Sequence, residues 1–205
     1  MRAAGKRITA VFAALAIAAA LGSCSRSSST DAHAGHTGVN PTPDAQSAIH
    51  NADDVAFARN MIPHHQQAVD VSAMVPTNTH NRDVIVLAKH ISLDQQAEID
   101  TMQGLLAQWG EPAAPEHGGH DGHGGMPMEG MVDDATIDQL RSLTGADFDR
   151  LWLRSMISHH QGAVTMAQRE IARGLNADAL KLARIIIDAQ QWEIATMNHL
   201  LAVPE

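Results

Sequence analysis

From Asn51 onward apolar residues recur every three or four positions, the spacing of an amphipathic helix and not of a strand. Phe57, Met61, His64 or His65, Ala68 and Ser72 form the inward stripe of a first helix. It is predicted to start at Asn51, with Asp53 and Asp54 in its first turn, and to run to about Val75, where Pro76 ends it. A second helix, opened by Asn81 and Asp83, reaches about Trp109 and closes at Gly110 and Pro112. Its stripe reads Ile91, Gln95, Glu98, Met102, Leu105. After a glycine-rich stretch, a short helix is predicted over 134–143. A third long helix opens at Thr144 and ends near Gly174, and a fourth, opened by Asn176, carries Ile186, Gln190, Glu193, Met197, Leu200 inward.

The third and fourth helices repeat the first and second. An offset of 95 residues carries MIPHHQQAV (Met61–Val69) onto MISHHQGAV (Met156–Val164), Phe57 onto Trp152 and Asn81 onto Asn176. The same offset, without a gap, carries LAKHISLDQQAEIDTMQGLL onto LARIIIDAQQWEIATMNHLL. Two helical hairpins, about 51–110 and 144–202, joined by a His/Met-rich linker (111–132), therefore predict a pseudo-symmetric four-helix bundle over 49–203 with one short linker helix. An isolated hairpin of this kind cannot bury its own apolar stripes.

The first 23 residues stand outside that pattern. Arg2, Lys6 and Arg7 precede an uncharged run from Ile8 to Leu21, shorter than a membrane span, that fits the hydrophobic region of a secretory leader. It ends in Leu21-Gly22-Ser23-Cys24, a lipobox, so residues 1–23 are expected to be removed and Cys24 to carry the lipid. Cys24 is the only cysteine, so no disulfide is available. Residues 24–48, rich in Ser, Thr, Pro, Gly and Asp, read as a flexible tether that carries His33 and His36. Loss of Arg2, Lys6 and Arg7 with the leader takes the formal charge from −9 to −12. An acidic chain without a basic patch is a poor partner for nucleic acid. Absence of tyrosine, scarcity of other aromatics and abundance of Ala, Leu, Ile, Met and Gln favour helices throughout.

Candidate chemistry sits on the inward stripes. Glu98 and Glu193 lie midway along apolar stripes, where a carboxylate is costly unless paired or bound to a cation. The facing helices offer Met61, His64 and His65, and Met156, His159 and His160, while Met102 and Met197 lie four residues beyond the glutamates. Thioether with imidazole, and no thiolate, suits Cu(I) or Ag(I) better than zinc; carboxylate with imidazole also accepts Cu(II). Adjacent residues stand 100° apart around a helix, so one histidine of each pair is expected inward and the other at the edge of the seam. With a hairpin turn at about 77–80, Met61 is expected level with Gln95 or Gln96, and Glu98 most of a turn further on. The segment Glu116–Gly130 is expected to be too rich in glycine to pack. With its neighbour Met131 it gathers His117, His120, His123, Met126, Met128 and Met131, an auxiliary set that could wrap a soft cation. The plainer alternative is a structural or interaction module in which Met fills the core and His and Glu satisfy one another. A di-iron or di-manganese oxidase would need Glu-x-x-His on two helices, whereas Glu98 and Glu193 are followed by Thr101 and Thr196.

The order lipobox, MIPHHQQAV, QQAEIDTM, GMPMEGM, FDRLWLRSMISHHQGAVTMA, QQWEIATM resembles the bacterial family catalogued as domain of unknown function 305, over about Asp53 to Leu201. The resemblance implies an exported, ferritin-like four-helix bundle, with some members linked to copper binding and copper resistance. It adds Met166 to the metal residues Met61, His64, His65, Glu98, Met102, Met156, His159, His160, Glu193 and Met197. The first-half counterpart of Met166 is Val71, which implies weaker binding in that half, although Met74 lies nearby. The expected protein is thus a lipid-anchored copper binder facing the periplasm or cell surface, not an enzyme. It would sequester Cu(I) or Cu(II), or exchange them with a donor or acceptor protein, in copper homeostasis or tolerance.

Overall fold

The computed structural model describes residues 49–112 and 128–202. Six helical segments and no strand lie among them: α1 (Ala52–Ser72), α2 (Val75–Asn78), α3 (Arg82–Trp109), α4 (Asp134–Ser142), α5 (Gly145–Arg173) and α6 (Ala177–Ala202). α1 pairs with α3 and α5 with α6, while contacts of α1 with α5 and of α3 with α6 close the bundle. The described residues are therefore all-α, four long helices with the single-turn α2 and the short linker helix α4. The leader, Cys24 and the tether with His33 and His36 lie outside the described residues, and so do His117, His120, His123 and Met126.

Local chemistry sets the helix ends. Asn51 Oδ1 accepts from the Asp53 and Asp54 N–H groups, and the Asp54 carboxylate accepts from the Asn51 N–H at 2.6 Å, a closed capping box. Asn81 and Asn176 cap α3 and α6 in the same way, through Asp83 and Val84 and through Asp178 and Ala179. Gly110, at φ 70°, ends α3 in the left-handed conformation glycine tolerates best. Thr144, at the N-cap of α5, makes no side-chain cap bond.

The core divides into two apolar layers, and every long helix contributes to both. One gathers Phe57 and Met61 of α1, Met102 and Leu106 of α3, Ala163 and Ala167 of α5, and Ala183 and Ile186 of α6. The other gathers Val71, Ile91, Trp152, Met156 and Met197, with Val75 of α2 and Leu140 of α4. Each large side chain buried here contributes about 1.5–3 kcal/mol, and truncating one such as Leu106 to alanine costs about 2–5 kcal/mol.

The hairpin register differs from the expected one by about two turns. His65 bonds Glu98, which sets Met61 and Met102, one turn away on either helix, in a single cluster. The chain does not turn back directly after α1, because Pro76 starts the single-turn α2 instead of ending structure. Ile91 consequently lies opposite Ser72, and Arg82–His90, about two and a half turns, overhang the end of α1. That overhang is covered: Val84 and Leu87 share a cluster with Val75 and Leu140, and Asn78 Nδ2 donates to the Leu140 and Leu143 carbonyls. At the other end, Asp54 Oδ1 accepts from the Leu175 and Asn176 N–H groups, tying the start of α1 to the turn between α5 and α6.

Candidate metal centre

Between the two apolar layers lies a polar one, made of His64, His65, Gln95, Glu98, His159, His160, Gln190 and Glu193, all buried. Both histidines of each pair are inside, against the expectation of one at the seam edge. The 100° between them is used to face two different neighbours. His64 and His159 face each other across the α1–α5 contact, ring centroids 3.8 Å apart. His65 and His160 face their own hairpin partners, each with Nε2 2.8 Å from Oε2 of Glu98 or Glu193.

These bonds select a tautomer. A carboxylate accepts only, so Nε2–H of His65 and of His160 donates, and Nδ1 is the nitrogen that carries the lone pair whenever the ring is neutral. His64 Nε2 likewise donates to the Glu129 carbonyl at 3.2 Å. Nδ1 of His64, His65 and His160 and both ring nitrogens of His159 have no hydrogen-bond partner, nor have the Gln95 and Gln190 amides. Buried polar atoms are ordinarily satisfied, so this many orphans in one layer suits an ion as their partner. Burial, reinforced by the neighbouring imidazoles, pushes His64 down to about 3 and His159 well below the ordinary value. Both rings are therefore neutral at physiological pH, the form that ligates a metal. Glu98 and Glu193 orient imidazoles, the carboxylate–histidine arrangement common beside metals.

The thioethers flank this layer. Met61 and Met102 are fully buried in one apolar layer, Met156 and Met197 in the other. The His and Glu donors alone do not converge as a cage, because among the described residues they form no group of three with all ligand atoms within 4.8 Å. Imidazole nitrogen and thioether sulfur are donors of the kind that soft cations prefer. Met166, half-buried against the first layer, instead lines a cavity of about 560 Å³ together with Phe57, Met128, Glu129 and Arg169.

The end of the linker packs, contrary to the expectation of a glycine-rich segment too loose to do so. Residues 128–132 cross the α1–α5 seam as a strap over the histidines. Gln67 grips it twice, donating to the Val132 carbonyl at 2.9 Å and accepting the Val132 N–H at 2.8 Å. Arg169 pairs with the Glu129 carboxylate. The glycines permit the contact. A Cβ on Gly162 would stand 1.9 Å from the Glu129 carbonyl oxygen, and one on Gly130, at φ 85°, would stand 2.6 Å from the Ser158 carbonyl oxygen. Of the linker methionines, Met128 thus reaches a cavity wall, and Met131 is half-buried in the strap.

Two further groups escaped the sequence reading. Glu170 is held at about 8 by burial and by its contact with Asp54. Burial would raise Asp54 too, but the neighbouring Glu170 carboxyl and hydrogen bonds from the Asn176, Asn51 and Leu175 backbone outweigh it and lower Asp54. The other group is His90 with Asp94 and Glu193, whose ligand atoms lie within 4.8 Å of one another. Its signal was the i,i+4 spacing of His90 and Asp94; its third member belongs to the other hairpin.

The family model described as "Domain of unknown function (DUF305)" matches residues 54–201. A DUF305 protein from Streptomyces coelicolor, inferred to be secreted, superposes with a TM-score of 0.65 at 35% identity, over 77% of this chain and 94% of that one. A DUF305 fragment from Deinococcus radiodurans gives 0.65 at 33% identity, over 74% and 96%. CopM in its Cu(II)-bound form gives 0.62 at 34% identity, over 72% and 94%; CopM has also been crystallised with Cu(I) and with Ag. No curated protein matches.

Proposed function

We propose that this chain, which belongs to the DUF305 family, is an extracytoplasmic copper-binding protein that takes Cu(I) in preference to Cu(II). One observation carries the reading: a buried layer of imidazoles with orphaned ring nitrogens, bracketed by four buried methionines. Similarity to CopM, whose crystals hold Cu(I), Cu(II) and Ag, supports the same ion class. His64, His65, His159 and His160 would supply nitrogen, and Met61, Met102, Met156 and Met197 sulfur. Glu98 and Glu193 fix His65 and His160. Met128, Met131 and Met166, with His117, His120, His123 and Met126 of the linker, would make first contact with the ion. Cys24 would anchor the protein to the membrane, where it sequesters copper or exchanges it with a partner protein. No helix of the described residues is long and apolar enough to cross a membrane.

The reading is of binding and not of catalysis, because the buried His, Met and Glu donors of the layer are set apart from the cavity of about 560 Å³, none of them lining it. The self-satisfied structural core is disfavoured by the same orphans: Glu98 and Glu193 satisfy two imidazoles and leave His159, Gln95 and Gln190 unpaired.

Competition for Cu(I) against a colorimetric chelator tests the reading. The mature protein should compete, and so should a variant carrying His117→Ala, His120→Ala, His123→Ala and Met126→Ala. Conversion of His64, His65, His159 and His160 to glutamine should abolish competition while helical content stays. Failure of the mature protein to compete at micromolar chelator affinity sinks the reading. In cells, Cys24→Ser should move the protein from the membrane to the soluble fraction.

A further inference from the structure

His90 and Asp94 lie one turn apart on the outward side of α3, with Nε2 and Oδ2 3.1 Å apart and each side chain 44% exposed. Glu193 reaches the same point from α6, and one ligand atom from each of the three lies within 4.8 Å of the other two. We propose that His90, Asp94 and Glu193 form a second metal site, distinct from the Met/His core, that takes a borderline divalent cation such as Zn2+ or Ni2+.

The donor set argues for that class of ion. One imidazole and two carboxylates, without a thioether or thiolate, disfavour Cu(I) and suit a divalent ion of intermediate hardness. Two donors about 2.1 Å from one ion stand about 3.0–3.4 Å apart, so the His90–Asp94 pair already has the separation of neighbouring ligands. The electrostatics favour a cation as well: burial, together with the charges of Glu193 and Glu98, pushes Asp94 upward against the opposing pull of His90. An ion here would relieve that repulsion.

The site breaks the internal symmetry of the chain. At the 95-residue offset, His90 becomes Ile185 and Asp94 becomes Ala189, so Glu98 has no matching ligands beside it. The repeated architecture does not require the pair. Glu193 also bonds His160 at 2.8 Å, so a surface ion would sit one carboxylate away from the buried layer.

Trp192 provides a local reporter, since its ring meets His90 edge-on, centroids 5.7 Å apart, and is 56% exposed. Titration of paramagnetic Ni2+ into the mature chain should quench a saturable part of the tryptophan fluorescence. That part should vanish in Trp192→Phe. His90→Ala with Asp94→Asn should raise the half-quenching concentration at least tenfold, with circular dichroism unchanged, and His80→Ala should leave it alone. Equal quenching in the His90/Asp94 variant and the unaltered chain, or a quench that survives Trp192→Phe in full, overturns the proposal. Cu(I) competition in the His90/Asp94 variant reports on the core separately and should not change.

Discussion

The two hairpins share their buried chemistry and differ in how they meet the linker. His65–Glu98 and His160–Glu193 are the same bond at the same 2.8 Å, and the unpaired Gln95 and Gln190 amides lie at equivalent positions. Two residues after the histidines the copies part: Gln67 in α1 corresponds to Gly162 in α5. Gln67 reaches out to hold Val132 with two hydrogen bonds, whereas Gly162 holds nothing and leaves room for the Glu129 carbonyl. A repeat that must bind one strap cannot stay symmetric at the strap, because a single segment crosses two helices in one direction. Divergence outside the polar layer thus need not mean divergence of the polar layer.

The severest way to break this comparison is Gly162→Ala. The added Cβ meets backbone at 1.9 Å and no side chain can give way, so the strap must lift. About 3 kcal/mol or more should be lost in chemical denaturation, well above ordinary overpacking of a flexible core. Next come His65→Gln and His160→Gln, which ask whether the halves are energetically alike. Each should weaken Cu(I) binding about tenfold to a hundredfold, or about 1.4–2.8 kcal/mol. A larger loss from His160→Gln would assign the stronger site to the half that carries Met166, and equal losses would assign Met166 to the cavity alone. Gln67→Ala removes two hydrogen bonds without creating a clash, and about 1–2 kcal/mol should follow.

The smallest effect concerns Glu170, whose first-half counterpart is Val75. Its folded value of about 8 exceeds the ordinary 4.5, so the native state keeps a proton that the unfolded chain gives up. Glu170 therefore makes stability fall as pH rises from about 4.5 to 8, after which its effect is constant. Glu170→Gln should flatten that slope, adding on the order of 1 kcal/mol at pH 8 and little at pH 4. Denaturation midpoints that run parallel with pH in both proteins would refute the assignment.

Much of this was legible in the sequence, for identifiable reasons. The four helices and their pairing follow from apolar spacing and from an offset that runs without a gap, and both are local properties of the chain. The register was not legible, since Pro76 reads equally as the end of one helix and the start of another, and α2 makes it the start. Burial of both histidines in each pair was hidden because their cover comes from the opposite pair and from a strap, contacts between residues about 65 to 95 apart. Glycine in the linker reads as loose chain in the sequence, whereas Gly130 of the linker and Gly162 of α5 allow two backbones to touch. The spacing of His90 and Asp94 is by itself a weak signal, because their third partner belongs to the other hairpin.

The two apolar layers carry a consequence for how the chain acquires its structure. Each draws on all four long helices, so a chain that has formed only α1 and α3 holds two half-layers and completes neither. The first hairpin therefore completes its burial only once α5 and α6 exist, and its contacts with them span roughly a hundred residues. Acquisition of the native state should therefore be late and all-or-none, with loop closure across the linker as its slow step and no half-folded species accumulating.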